Sequence, residues 1–229
     1  GGATPGALGA EVMTATSLMQ ASKPTAKERR SATKLAAVTV GIYHTHNDES
    51  YVVNQSVASV AGRGGIHQVG DALANEIKKD GLKVVHAQSI HLPHDRGAYR
   101  RSRRTAVDLM NDKGADFLID VHRDAGPSKS YAKKVKGQWV TQVRLVVGRS
   151  NPHEAATLQF ARELKAIADK QYPGLVKGIW LGRDGYNQDL SPRAILIEVG
   201  TEENAMQSAE RGVRMFADVL TSWTKRHLD

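Results

Sequence analysis

The chain has 229 residues, of which 40% are hydrophobic, and it carries a formal net charge of +8. This length is typical of one domain with a sizeable core, and the absence of cysteine excludes disulfides and cysteine-ligated zinc. No apolar stretch reaches the roughly 20 residues of a membrane-spanning helix. The basic charge favours an anionic partner such as a cell wall. Since only 5% of the residues are aromatic, few surfaces could stack on nucleic acid, and we expect no such partner.

The N-terminal segment differs in composition from the rest of the chain. Residues 1–34 are small and polar and carry only a weak helical stripe of apolar side chains. We interpret them as a linker or a loosely attached segment, and residues 35–229 as the domain that performs the function. Because the sequence begins with glycine rather than methionine, we also expect that a signal or anchor segment upstream has been removed.

From residue 35 onward, strand and helix patterns alternate. Runs of β-branched and apolar residues predict buried strands at 35–43, 82–87, 117–121, 140–147, 179–181 and 194–199. Apolar residues three and four positions apart predict helices at 66–79, 98–112, 153–171 and 202–224. This alternation predicts an α/β fold: a three-layer sandwich with a mostly parallel central sheet and helices on both faces. The polar stretch 47–65 is a long loop, and loops of this length tend to be functional.

Residues that can bind a metal follow two of the predicted strands. His46 and Glu49 come after the first strand, and His122 comes after the third. Two imidazoles and one carboxylate form a three-ligand shell typical of catalytic zinc, with a fourth position left open. Because ligands bind beyond the carboxyl ends of parallel strands, we expect His46, Glu49 and His122 to hold one Zn²⁺.

Two further histidines leave the ligand set open. If the backbone stays extended after the first strand, His44 points to the same side as His46. It is then a candidate ligand, a residue that orients a ligand, or a substrate contact. His67 opens the first helix after the long loop, and it is a rival to Glu49 as a ligand.

Charged residues near the predicted strand ends are candidates for acid–base work. Glu198 ends an apolar run, where a carboxylate is costly to bury without a partner. We interpret it as a general base toward the attacking water, with an ion pair to Arg193 or Arg123 as the structural alternative. Arg123 is a candidate catalytic residue that holds a substrate carboxylate or stabilises an oxyanion. Its alternative is a structural pair with Asp120 or Asp124.

The polar loop 185–192 leads into the strand that carries Glu198. It is well placed to line a cleft and to form hydrogen bonds with a polar substrate. Its candidate substrate contacts are Asn187 and Gln188, and the alternative is an ordinary turn.

Several motifs occur in the order typical of one known family. They are IYHTH followed by ESY within 42–51, IDVHRDA at 119–125, YNQDLS at 186–191 and LIEVG at 196–200. In these motifs the chain resembles the stage II sporulation protein P family, from about residue 38 to residue 216. That family is similar to the zinc N-acetylmuramoyl-L-alanine amidases. The resemblance therefore implies an amidase-like fold for residues 35–229.

The resemblance also implies a function. It implies a zinc-dependent hydrolase of peptidoglycan that cuts the amide between N-acetylmuramic acid and L-alanine, and peptide cross-links as well. By the same analogy His46, Glu49 and His122 hold zinc, and Glu198 is the catalytic acid/base. The implied setting is septal wall degradation during engulfment, outside the cytoplasmic membrane, with stage II sporulation protein D as a glycan-cleaving partner. We expect membrane attachment only through a segment absent from this sequence.

Two other functions remain compatible with the same residues. A zinc carboxypeptidase-like peptidase uses the same ligand pattern, and Arg123 would clamp the free carboxylate of its substrate. A non-catalytic wall-binding protein would be expected to lack one of the metal or acid positions. This chain has all four of them, at His46, Glu49, His122 and Glu198.

Overall fold

The computed structural model describes residues 24–228, so most of the segment 1–34, including its weak apolar stripe, lies outside the described part. The helices are α1 (Ala26–Leu35), α2 (Val52–Gln55), α3 (Ile66–Lys79), α4 (Ala98–Asn111), α5 (Glu154–Gln171) and α6 (Met206–His227). The strands are β1 (Thr39–Tyr43), β2 (Lys83–His86), β3 (Phe117–Asp124), β4 (Ala132–Val135), β5 (Gln138–Thr141), β6 (Val143–Gly148), β7 (Val176–Gly182) and β8 (Ala194–Thr201).

A six-stranded sheet forms the centre of the molecule, in the order β2-β1-β3-β8-β6-β7. Its neighbours pair in parallel except for β6 and β8, which are antiparallel. β4 and β5 form a separate antiparallel hairpin. The predicted α/β sandwich with a mostly parallel sheet is therefore confirmed.

Helices cover both faces of the sheet, but unequally. On one face α3 and α5 pack against α6 over the larger core, which includes the fully buried side chains of Ile42, Leu73 and Phe216. On the other face α4 covers a smaller core around Leu109 and Leu118. Because side chains alternate along a strand, Asp120 and His122 of β3 lie on the same face as Leu118. The smaller core is thus continued by polar side chains toward the C-terminal ends of the strands.

Several predicted boundaries are wrong. Leu35 ends α1 and β1 begins only at Thr39, because a capping box between Thr25 and Glu28 starts a helix just before the predicted strand. The predicted strand 140–147 is two strands, since β5 pairs with β4 whereas β6 joins the central sheet. β3 and β8 run longer than predicted. His122 therefore lies within β3 rather than after it.

α1 lies at the edge of the molecule. Apart from Leu35 its side chains are largely exposed, and it contacts α6 near the C-terminus of the described chain. The ammonium of Lys34 donates to the carbonyl of Leu228 at 2.5 Å. A domain boundary at residue 34 stays a prediction. No helix within residues 24–228 has the length and apolar character needed to cross a lipid bilayer.

The interface between α3 and the larger core can be tested with matched isoleucines. Ile77 is fully buried, whereas Ile90 is 48% exposed. We expect Ile77→Ala to lower the free energy of unfolding by about 2–5 kcal/mol, because it leaves a cavity in the core. Ile90→Ala should change it by roughly 0.5 kcal/mol or less. Urea denaturation followed by circular dichroism measures both, and equal losses would contradict the described packing.

Candidate active site

Three of the predicted ligands lie together near the C-terminal ends of β1 and β3. The Nδ1 atom of His46 is 3.3 Å from Oε1 of Glu49, and Nδ1 of His122 is 3.6 Å from the same oxygen. The donor atoms of this trio all lie within 4.8 Å of one another. Since zinc bonds to nitrogen and oxygen are about 2.0–2.2 Å long, one ion placed between them could reach all three.

The turn that follows β1 positions two of these side chains. The amide of Glu49 donates to the carbonyl of His46 at 3.2 Å, which brings residues three positions apart to the same side of the turn. The other oxygen of Glu49, Oε2, accepts a hydrogen bond from the backbone amide of Arg123 at 2.8 Å. Glu49 is thereby anchored to β3 through one oxygen while the second faces the imidazoles.

Glu198 stands beside His122 because of the strand register. β3 and β8 are parallel, and His122 is the pairing partner of Glu198, so both side chains project from the same face of the sheet. Glu198 keeps some solvent exposure, but its Oε2 atom is enclosed and has no hydrogen-bond partner within residues 24–228. A carboxylate oxygen left unpaired in this way is unfavourable unless a proton or a cation joins it.

Burial and neighbouring charges shift the pKa values of these groups. Burial raises the pKa of Glu198 to about 8; nearby carboxylates such as Glu49 act in the same direction, and His122 opposes them. Burial would lower the pKa of His122, but the carboxylates of Asp120 and Glu49 outweigh it and raise the pKa well above its usual value. Burial would likewise raise the pKa of Glu49, yet His122 and His46 outweigh it and lower that pKa.

Asp120 supports His122 from behind. Its Oδ1 atom is 2.9 Å from Nε2 of His122, an ion-pair distance, although the angle does not make a well-aligned hydrogen bond. The same carboxylate accepts from the backbone amide of Thr45 at 2.8 Å and from its hydroxyl at 2.6 Å. Asp120 therefore joins β3 to the turn after β1. Its contact at Nε2 leaves Nδ1 of His122 facing Glu49.

Aromatic side chains that the sequence patterns did not reveal border the site. Tyr99, near the start of α4, lies almost parallel to the ring of His122 at 6.2 Å and edge-on to that of His46 at 5.5 Å. Tyr186 lies edge-on to Tyr99 at 5.5 Å, and both line a cavity of about 380 Å³. His94 stacks on His46 at 3.8 Å. Tyr186 belongs to the loop 185–192, which was predicted to line a cleft. Tyr99 and His94 come from a helix start and a loop, and no characteristic spacing marks them.

Comparison with known proteins identifies the family of this chain. The sequence model for stage II sporulation protein P matches residues 9–221. The chain belongs to this family. It is 30% identical to stage II sporulation protein P of Bacillus subtilis strain 168 over 200 residues. This alignment covers 80% of this chain and 50% of that protein. The chain thus spans about half the length of the curated relative that it matches.

Solved amidase structures share the fold. The CwlD amidase from Clostridioides difficile, solved in complex with the GerS lipoprotein, aligns with a TM-score of 0.56 and 13% identity, over 84% of this chain and 100% of that one. An N-acetylmuramoyl-L-alanine amidase from Clostridium difficile 630 aligns with a TM-score of 0.54 and 16% identity, over 82% of this chain and 97% of that one. At such identities the likeness establishes the architecture.

Arg123 does not occupy the position predicted for a catalytic residue. Its guanidinium donates to the carbonyl of Ser50 at 3.0 Å and to that of Ala58 at 2.6 Å. A longer contact of 3.4 Å reaches the backbone carbonyl of Asp124, so the predicted alternative of a carboxylate pair is wrong as well. These contacts engage three of the five N–H groups of the guanidinium, so Arg123 holds the loop 47–65 against β3.

His44 is not a substrate contact, because the chain turns at residue 45 instead of staying extended. The side chain is buried, and its Nδ1 atom lies 2.8 Å from the carbonyl of Val121. Its ring packs against His67 and His86, away from His46. His67 belongs to that second group of imidazoles, and Glu49 is the residue that joins His46 and His122.

The amide groups of Asn187 and Gln188 form hydrogen bonds within the protein. Gln188 donates to the carbonyl of Val146 at 2.9 Å and accepts from the amide of Gly148 at 2.8 Å, so both ends of its amide are bonded to β6. The amide nitrogen of Asn187 donates to the carbonyl of Tyr99 at 3.0 Å. Both side chains are buried. The prediction that Gln188 binds substrate is therefore wrong. Asn187 lines the same cavity as Tyr186, and its contact with substrate stays a prediction.

The role of Arg123 as a clamp on the loop can be measured. We expect Arg123→Met to speed amide hydrogen exchange in the segment 50–60, because two carbonyls lose a charged donor, a change of about 1–3 kcal/mol in local stability. Substitution of the exposed Arg149 by methionine is the matched control. Exchange rates in 50–60 that stay unchanged in Arg123→Met would rule out the clamp.

Proposed function

We propose that this chain is a zinc-dependent peptidoglycan hydrolase that cleaves the amide between N-acetylmuramic acid and L-alanine. The observation that carries the proposal is the convergence of His46, Glu49 and His122 beside Glu198, whose Oε2 atom has no hydrogen-bond partner within residues 24–228. The amidase-like architecture and the membership in a sporulation family support it. The reaction would serve degradation of the septal wall during sporulation.

The donor set fits zinc. Two imidazole nitrogens and one carboxylate oxygen are a common three-ligand shell for catalytic zinc, and Glu49 and His122 are both held by second partners that fix their orientation. An ion bound there would polarise the scissile carbonyl and make water a better nucleophile at neutral pH. The cavity of about 380 Å³ offers a place for the substrate, because Tyr99 lines it and also contacts the rings of His46 and His122.

Glu198 would perform the proton transfers. Its strand position is the pairing partner of His122, so its side chain projects from the same face of the sheet as this ligand. It would accept a proton from the attacking water and return it to the departing nitrogen of L-alanine. A pKa that burial raises to about 8 suits a group that must both take and release a proton near neutral pH.

The surroundings suit an anionic wall. Three arginines and two aspartates line the cavity, which leaves it with an excess of positive charge, and the chain carries a net charge of +8. We also propose that the chain acts outside the cytoplasmic membrane, that it cuts peptide cross-links, and that stage II sporulation protein D cleaves the glycan alongside it.

The carboxypeptidase alternative loses support, because Arg123 is engaged by backbone carbonyls.

The metal and proton-transfer roles are separable by substitution. We expect Glu198→Gln to retain zinc and to lose hydrolysis of purified peptidoglycan by about 10²–10⁴-fold, because the general base is gone. His122→Ala should lose the zinc ion held by His46, Glu49 and His122, and with it the activity. Metal content by mass spectrometry and release of stem peptide from intact glycan measure the two effects.

Each outcome decides a part of the proposal. Full activity in Glu198→Gln would remove the assigned base. Unchanged zinc and activity in His122→Ala would refute the ligand set. A wild-type protein that binds peptidoglycan without cutting it would favour the non-catalytic wall-binding alternative.

Zinc affinity at the trio should depend on pH. Since the carboxylates of Asp120 and Glu49 raise the pKa of His122 well above its usual value, a proton competes with zinc for this imidazole up to a higher pH than at an ordinary histidine. Zinc needs the neutral imidazole, so binding displaces that proton, and the apparent affinity falls about tenfold per unit as pH decreases. Calorimetry in buffers of different ionisation enthalpy measures the released proton. Asp120→Asn should shift the dependence to lower pH, and an affinity that is constant between about pH 6 and about pH 8 would contradict the assignment.

A further inference from the structure

A second group of imidazoles lies on the other face of the sheet. His44 follows β1, His67 lies in the first turn of α3, and His86 ends β2. One nitrogen from each ring lies within 4.8 Å of the others, and the Nε2 atoms of His44 and His86 are only 2.8 Å apart. His86 pairs in register with Ile42, whose side chain belongs to the larger core. The group is therefore separated by the sheet from the trio of His46, Glu49 and His122.

Hydrogen bonds fix the orientation of all three rings. The Nδ1 atom of His44 lies 2.8 Å from the carbonyl of Val121, and Nδ1 of His86 lies 2.8 Å from a carboxylate oxygen of Asp71. A carbonyl and a carboxylate only accept, so both Nδ1 atoms carry the proton and donate. In neutral rings the two Nε2 atoms then face each other with lone pairs. Such a contact at 2.8 Å is repulsive unless a proton or a metal ion lies between them.

His67 completes the arrangement. Its Nδ1 atom is 3.0 Å from the amide oxygen of Gln88. The amide nitrogen of Gln88 lies 3.1 Å from Nδ1 of His86, but the shorter contact of 2.8 Å to the carboxylate of Asp71 keeps the proton on that Nδ1. Its Nε2 atom is enclosed and has no hydrogen-bond partner in the described part of the chain, residues 24–228. Each ring is thus held at Nδ1 by an oxygen, which is the outer support that metal-binding histidines require.

Gly70 keeps the space beside these nitrogens open. It lies in the middle of α3, where glycine is less favourable than alanine by roughly 0.5–1 kcal/mol. A Cβ atom at this position would lie 2.6 Å from Nε2 of His44 and 2.7 Å from Nε2 of His86. A side chain at position 70 would fill the space between the Nε2 atoms, and glycine leaves that space open.

We propose that His44, His67 and His86 form a second site for a divalent transition-metal ion, bound through their Nε2 atoms. Three imidazoles suit zinc, copper or nickel, and a tetrahedral ion with bonds of about 2.0–2.1 Å requires nitrogens about 3.3 Å apart. His44 and His86 would separate by about 0.5 Å to admit it. The ion would join the ends of β1 and β2 to the start of α3. It would act as a structural link beneath the loop that carries Glu49.

Zinc stoichiometry distinguishes the two sites. We expect the wild-type chain, equilibrated with Zn²⁺ and desalted, to retain two ions. His86→Ala and Gly70→Ala should each retain one, the first by losing a ligand and the second by filling the centre. His153→Ala is the matched histidine control and should retain two. Circular dichroism verifies that each variant is folded, and Co²⁺ absorption in the visible range gives an independent count.

The variant His122→Ala separates this proposal from the proposed function. If it retains one ion and His86→Ala also retains one, both sites exist. If the wild type retains a single ion that His122→Ala loses and His86→Ala keeps, the second site is refuted and the proposed function is unaffected. If the single ion is lost in His86→Ala and kept in His122→Ala, the second site exists and the zinc ligands of the proposed function are wrong.

Discussion

Backbone hydrogen bonds between β3 and β8 hold His122 level with Glu198 on one face of the sheet. The two residues are distant in sequence, and only the parallel register makes them neighbours. A shift of one residue in this register would turn one of the side chains to the opposite face. The chemistry of the candidate site therefore depends on an alignment that the apolar residues of both strands maintain from within the core.

The loop after β1 completes the site, and it is tied to the sheet by polar contacts. The hydroxyl of Tyr51 donates to the carbonyl of Val199 at 2.8 Å, and the amide of Val52 donates to that of Glu202 at 2.8 Å. Arg123 holds the same loop from β3. A metal shell needs ligands whose positions are fixed before the ion arrives. Arg123, which the sequence suggested as a catalytic residue, thus helps to fix the loop that carries Glu49.

Much of the site was predictable because residue type and strand position restrict the chemistry. His46, Glu49 and His122 could be proposed as a group since they follow or end strands of a parallel sheet, and the structure brings them together. The directions of other polar side chains were not predictable. His44 and Gln188 carry suitable groups, yet both find partners in the protein interior. Their partners come from distant segments, and no local pattern encodes those contacts.

The sequence alone determined the alternation of strands and helices, because apolar periodicity reports which face of each element is buried. It also determined the residue types that can bind zinc and transfer protons. Only the tertiary structure decided which histidines share a site. His44 and His46 are two residues apart, but the turn between them sends one ring to each of two clusters. That direction depends on contacts with Val121, Asp120 and α3, which exist only once the sheet has formed.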